Sequence, residues 1–298
     1  MASLRDIRRK IKSVKSTEQI TKAMKMVAAA RMRRSQQAIL AARPFAVKME
    51  ALVQGLACLE RASDLAAGRP VQIHEFFDIR PAGPVALILV TADKGLCGAF
   101  NSSLIRAAMD WLRAHQGRKT YVAVVGRKGR DFAHRIRGFD FELLTELTGI
   151  FPKVGYVHAE LLGKAVMDAY AAKGLASVSV LYNEFKSVAM QKLVNVPLLP
   201  IPEAATAAQG PMPEYGFEPD RQALLGALLP RYVKAQLFRV LLESQAAELA
   251  ARMNAMDSAS KNAKELRQAL NLSANRQRQA IITREIAELV GGAEALAS

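Results

Sequence analysis

One short segment of this 298-residue chain gathers the residue types that chemistry needs. Residues 91–101 read TADKGLCGAFN and bring together an acid (Asp93), an amine (Lys94), a thiol (Cys97) and two glycines. A turn of this kind between a strand and a helix can aim backbone N–H groups at a phosphate. Its spacing fits neither G-x-G-x-x-G nor G-x-x-x-x-G-K-[ST]. No histidine or second acid stands nearby in sequence to complete an acid–base pair. The simpler reading is a tight turn whose glycines adopt positive φ, with Cys97 as a small buried residue. A second stretch, GRKGR at 126–130, is basic enough to hold an anion, against the simpler reading of a solvated loop. A third pair, Glu285 and Glu288, puts two carboxylates on one helical face, with no cleft implied around them.

Composition narrows the classes further. Two cysteines, Cys58 and Cys97, make neither a disulfide framework nor a Cys-rich zinc site. His74, His115, His134 and His158 are isolated, so no histidine-built metal centre is expected. No apolar run approaches the length of about 18 residues that a membrane helix needs. The segment after Met1 lacks a secretory apolar stretch, so a soluble protein of a reducing compartment is expected. The formal net charge is +15, and the first fifty residues hold thirteen Lys or Arg against Asp6, Glu18 and Glu50. Like charges at that density on a helix repel, so an acidic counterpart is expected. A basic coiled-coil protein that binds nucleic acid is one reading; an acidic protein collar fits at least as well.

Long helices position these residues. Leu4, Ile7, Ile11 and Val14, then Ile20, Met24, Val27 and Ile39, fall at helical spacings, with a slip of the repeat between Val14 and Ile20. From Arg231 to Val290 there is no proline or glycine, and Leu249, Met253, Met256, Ser260, Ala263, Leu266 and Leu270 make a second seam. Ile282, Ile286 and Leu289 extend it until Gly291 and Gly292, where a stop is expected. Two narrow stripes at opposite chain ends most simply bury each other as an antiparallel coiled coil. Between them, strands at 85–91, 121–125 and 177–182 alternate with helices at 102–115 and 155–172, a small, largely parallel α/β domain. The expected organisation is a shaft helix over 1–60, a Rossmann-like domain over 80–200, a Pro-rich connecting loop over 201–219 and a second shaft helix over 220–298.

The segment 282–293, ITREIAELVGGA, resembles the C-terminal signature of the gamma-subunit family of F-type ATP synthases, carried by Ile282, Thr283, Glu285, Glu288, Gly292 and Ala293. Three more stretches agree in order: ITKAMKMVAA at 20–29, DKGLCG at 93–98, and EPD at 218–220 with LLPRY at 228–232. The likeness therefore spans the chain. It implies an antiparallel coil of the terminal helices with a Rossmann-like domain at its base. The chain would be a non-catalytic rotor shaft without cofactor, metal or nucleic-acid partner. It would turn inside the hexamer of alpha and beta subunits while its foot meets the c-subunit ring and epsilon. Proton flow through the ring would drive the beta nucleotide sites through their cycle.

By motif match, Arg278, Gln279 and Thr283 correspond to residues that engage a loop of beta, and Met24 and Lys25 to the position facing beta's acidic loop. Tyr215 and Glu218 correspond to the foot that meets the c ring. Where the family usually has Tyr-Asn-Lys, this chain has Ala274, Asn275 and Arg276, a lost aromatic contact. The cysteine-bearing insertion of chloroplast relatives is missing, so thiol control is not expected. With the first helix beginning a few residues after Met1, a bacterial protein peripheral to the cytoplasmic face of the inner membrane is expected, membrane association being indirect.

Overall fold

The computed structural model describes residues 3–68, 73–151, 153–202 and 221–297. Its elements run α1 (Leu4–Ala66), β1 (Val85–Val90), α2 (Phe100–Ala114), β2 (Thr120–Val125), α3 (Arg127–Arg135), β3 (Glu142–Leu147), α4 (Tyr156–Ala172), β4 (Ser177–Phe185), β5 (Gln191–Leu199) and α5 (Arg221–Ala297). The chain forms two compact units, Met1–Ala29 with Arg252–Ser298, and Ala30–Ala251.

The larger unit is built on a sheet in the order β3-β2-β1-β4-β5. The first four strands are parallel and β5 runs antiparallel to β4. β1, VALILV, is buried along its whole length, as an apolar run covered on both faces must be. Ala86, Ile88 and Val90 of β1 and Tyr121, Ala123 and Val125 of β2 enter one core. It is closed by α4 (Leu162, Val166, Tyr170) and by this unit's parts of α1 (Met49, Val53, Leu56) and α5 (Leu229, Val233, Leu237). Leu87, Leu89, Val122 and Val124 enter the opposite core against Phe100, Leu104 and Ala108 of α2. The result is the expected Rossmann-like α/β fold: helices on both faces of a twisted sheet.

Three elements of this unit depart from the sequence reading. GRKGR is no solvated loop: α3 starts at Arg127, and Gly126 and Gly129 are packed against Thr91. β3 was hidden because it is an edge strand, with only intermediate or exposed residues. β5 was hidden by Pro197, which reads as the start of a loop. Pro197 stands opposite Ser179 where the register shifts, and it lies on an edge strand, the two places a sheet accepts proline.

In the smaller unit, α1 starts with a capping box. Ser3 Oγ accepts from the Asp6 N–H at 3.2 Å, and the Ser3 N–H and hydroxyl donate to Asp6 Oδ2. Along α1 the buried and half-buried stripe falls at Leu4, Ile7, Ile11, Val14, Glu18, Thr21, Lys25 and Ala28. The steps alternate three and four without a break, so the expected slip after Val14 does not occur. Ile20 and Val27, taken as seam residues, point outwards at 57% and 51% exposed. Along α5 the seam is Met253, Met256, Ser260, Ala263, Arg267, Leu270, Ala274 and Gln277. Leu266, assigned to it from sequence, is 51% exposed, and Arg267 takes its place. Glu18 meets Arg267 and Lys25 meets Asp257, so the two helices run antiparallel. The expected stop at Gly291 and Gly292 is also absent, since α5 runs on to Ala297. Two glycines cost a helix about 1 kcal/mol each, which the Ala- and Leu-containing turn after them does not turn into an end.

Candidate functional site

The turn after β1 is the first place to look for chemistry, because α/β sheets bind ligands at the carboxyl ends of their strands. Asp93 occupies it. Its carboxylate accepts N–H groups from Arg127 at 3.0 Å, Gly149 at 2.8 Å and Phe151 at 3.1 Å. Arg127 is the first residue of α3, so the side chain sits at a helix N-terminus, where a phosphate would otherwise be favoured. Thr91 Oγ1 accepts the Gly129 N–H at 2.7 Å and donates to the Val125 carbonyl. Gly126 has φ +88°, and a β-carbon there would lie 2.2 Å from the Thr91 carbonyl oxygen. Asn101 Oδ1 accepts the Ala92 N–H, and Cys97 is buried beneath the turn. The protein's own carboxylate thus satisfies the donors that a nucleotide phosphate would need. Among the described residues, no group of three or more His, Cys, Asp or Glu is placed to hold a metal ion.

The second site is the coil. Arg267 Nε donates to Glu18 Oε2 at 2.9 Å. Lys25 Nζ donates to Asp257 Oδ1 at 2.6 Å, and Lys261 Nζ lies 2.9 Å from Oδ2 of the same carboxylate. The hydrogen bonds from Lys25 and Lys261 hold the Asp257 carboxyl below the usual carboxylate range. Between the ion pairs, Thr21 turns its hydroxyl back to the carbonyls of Thr17 and Glu18, so this buried side chain needs no partner from α5. The sequence reading singled out Met24 and Lys25 but missed Glu18, Asp257, Lys261 and Arg267. The signal was available: the three–four alternation continues through position 18 if polar residues are allowed into the seam.

The outward face of α1 carries Lys12, Lys15 and Lys22, all exposed and with no ion pair among the described residues. The third site is the end of α5. Among the residues whose burial is described, Gln277 is the last half-buried one, and from Arg278 to Ala293 every residue is exposed. Continuing the antiparallel pairing towards Leu4 uses up α1 at about residue 280 of α5, so the turns beyond have no facing helix. Arg278, Gln279, Ile282, Thr283, Glu285, Glu288, Gly292 and Ala293 lie together on this tip, with Ile286 and Leu289, the latter 74% exposed. A helix that shows isoleucine and leucine to water on more than one side is a surface awaiting contact. Met24 and Lys25 are not brought to the tip. Tyr215 and Glu218, and most of the Pro-rich loop, lie outside the described residues. No helix among the described residues is long and apolar enough to cross a membrane.

Comparison with known proteins bears on all three sites. Residues 3–296 match the ATP synthase family. An ATP synthase gamma chain of Elusimicrobium minutum is 44% identical over 306 aligned residues, covering 99% of both chains. A chain from the Tetrahymena thermophila mitochondrial ATP synthase central stalk and c-ring is 25% identical, with a TM-score of 0.60, covering 81% of this chain and 99% of that one. A chain from the Euglena gracilis mitochondrial ATP synthase has a TM-score of 0.64 at 20% identity, covering 98% of this chain and 94% of that one, a likeness of fold. Identity of that degree over the full length, on a fold with the same two long helices around a sheet, settles the family: the chain belongs to the ATP synthase gamma chains.

Proposed function

We propose that this chain is the turning shaft of an F-type ATP synthase, passing the rotation of a proton-driven c ring to the nucleotide sites of the beta subunits. One observation supports it above the others: residues 278–293 of α5 are helical and exposed on every side, with Ile282, Ile286, Leu289 and Val290 among the exposed side chains, as a tip seated in a sleeve must be. Arg278, Gln279 and Thr283 then engage a loop of beta, and Met24 with Lys25 faces beta's acidic loop. Tyr215 and Glu218 belong to the foot on the c ring, and epsilon binds beside it.

A shaft drives its partners only by differential contact. Each beta subunit shifts between open and closed forms by as much as the passing face of the shaft binds one form better than the other. An asymmetric pair of helices presents a different face to each of three beta subunits at any moment. The exposed cations of α1 give attraction to acidic walls, and the small residues Ala280, Ala287, Gly291 and Gly292 leave the tip without deep knobs that would catch. In this reading the chain has no catalytic step of its own. Asp93, accepting the backbone N–H groups that a phosphate at the turn would use, supports that. The chain is peripheral on the cytoplasmic face of a bacterial inner membrane, held there through the membrane sector. A nucleic-acid partner, the alternative that charge alone suggested, gives way to the family assignment.

The test is co-expression with alpha and beta subunits of the same genome, followed by size-exclusion chromatography and an ATPase assay. Co-elution in one large complex, with turnover that depends on this chain, is the expected result. A chain that elutes alone and leaves ATP turnover unchanged would refute the shaft.

A further inference from the structure

The Asp257 carboxylate holds two ammonium groups, one on each oxygen. Lys25, from the opposite helix, lies 2.6 Å from Oδ1, and Lys261, one turn along α5, lies 2.9 Å from Oδ2. When Lys25 swings out, Asp257 keeps Lys261 and is never a lone charge. Lys25 is also free to move, its side chain being 41% exposed. The Glu18–Arg267 pair is of another kind: it is more deeply set, and departure of Arg267 would strand Glu18 without a cation. Lys25 is therefore the exchangeable cation of the seam.

We propose that Asp257 is a built-in competitor for Lys25, releasing its ammonium to a carboxylate on the surrounding chain and recovering it when that carboxylate moves past. The inference rests on the shaft reading above. A lysine with no internal partner would gain a whole ion pair at each outside carboxylate and would hold there. With Asp257 beside it, the outside carboxylate gains only the difference between two similar half-exposed pairs, which is close to nothing. Side-chain exchange of this kind takes picoseconds to nanoseconds, far faster than any domain motion. The outcome is a charged contact that guides without latching.

The experiment uses the full complex with alpha and beta subunits. Asp257→Asn removes the competitor and keeps the shape. Its expected result is a fall in ATP turnover of roughly two- to fivefold, the worth of one exposed pair, which shrinks as salt rises. In the Lys25→Gln background the same change should have no effect, so that K25Q and K25Q/D257N turn over alike. Asp257→Ser, smaller and neutral, repeats both comparisons should the asparagine variant fold poorly. Wild-type turnover in D257N and D257S, or an equal loss in both backgrounds, would overturn the proposal. Failure of the shaft reading is separate and visible, since the wild-type chain would then neither assemble nor alter turnover.

Discussion

Arg267 reaches Glu18 across the coil at 2.9 Å, at positions where a heptad repeat calls for leucine. The two residues are 249 apart in sequence and neither is more than 30% exposed. Removing one partner leaves the other half-buried and uncompensated; removing both does not. Glu18→Leu should therefore cost about 1 kcal/mol of local stability, while Glu18→Leu with Arg267→Leu should recover that loss and exceed it. Amide hydrogen exchange over residues 14–25 reads the effect locally, which suits a chain of two units better than a global melt. Slower exchange in the single variant than in the wild type would contradict this account.

The Asp257 carboxyl, held low by hydrogen bonds from Lys25 and then Lys261, makes the coil sensitive to acid. A carboxyl with a depressed value in the folded chain binds protons less readily there than in the unfolded chain. Its stabilising contribution is complete above the ordinary aspartate value of about 3.9 and fades as pH falls below that through the depressed value. Protection from exchange over residues 253–261, taken relative to the intrinsic rate at each pH, should fall in that window in the wild type, and Asp257→Asn should flatten the dependence. An equal pH response in both proteins would show that other carboxyls govern it.

Asp93 is the hub of the larger unit's ligand edge. Asp93→Ala would strip the Arg127, Gly149 and Phe151 amides of their shared acceptor, and buried donors left unpaired cost about 1–3 kcal/mol each before water or relaxation offsets part of it. A loss of about 3 kcal/mol is expected, with Asp93→Asn milder because one amide oxygen remains to accept. Denaturant unfolding followed by near-UV circular dichroism of Trp111 in α2 measures it. Unchanged unfolding in Asp93→Ala would mean that solvent satisfies the turn.

Gly126→Ala tests the packing beneath that hub. Alanine at φ +88° is strained, and its β-carbon would fall 2.2 Å from the backbone oxygen of Thr91, where no flexible side chain can yield. The cost exceeds about 3 kcal/mol, so the variant should express as insoluble or markedly destabilised protein. Gly117, with φ +93° and open space around it, is the control: Gly117→Ala meets the strain without the collision and should remain folded.

How much was legible beforehand divides along physical lines. β1, with its unbroken apolar run, and α4, long and periodic, were readable because their own residues decide their state. β5 was not, because Pro197 is acceptable only through its pairing with β4, a relation no local pattern contains. The seam was misread where it turned charged: Ile20 and Leu266 attracted the assignment, although Thr21 and Arg267 carry it, since hydrophobicity was taken as the sign of burial. Glu18 and Arg267 compensate each other only across the fold. The tip signature was legible by resemblance, whereas its physical character emerged only once every side chain from Arg278 to Ala293 proved exposed.

That exposure makes the tip removable. A chain ending at Ala280 loses the Ile282, Thr283, Glu285 and Glu288 surface, yet no residue from Ile281 to Ala293 is buried within the chain. Stability follows the apolar area taken from water, and very little of it lies here. The truncated chain should therefore melt with the full-length protein, keep its helical signal apart from the missing turns, and still assemble through its remaining surfaces. On the shaft reading proposed above, coupling should suffer instead, since differential contact with the beta subunits would be lost at the tip. The comparison is a thermal melt of both isolated chains beside ATP-driven proton pumping by both assembled complexes. A drop in melting temperature without a drop in pumping per ATP would reverse the roles assigned here, making the tip a structural element and placing the bearing elsewhere along α5.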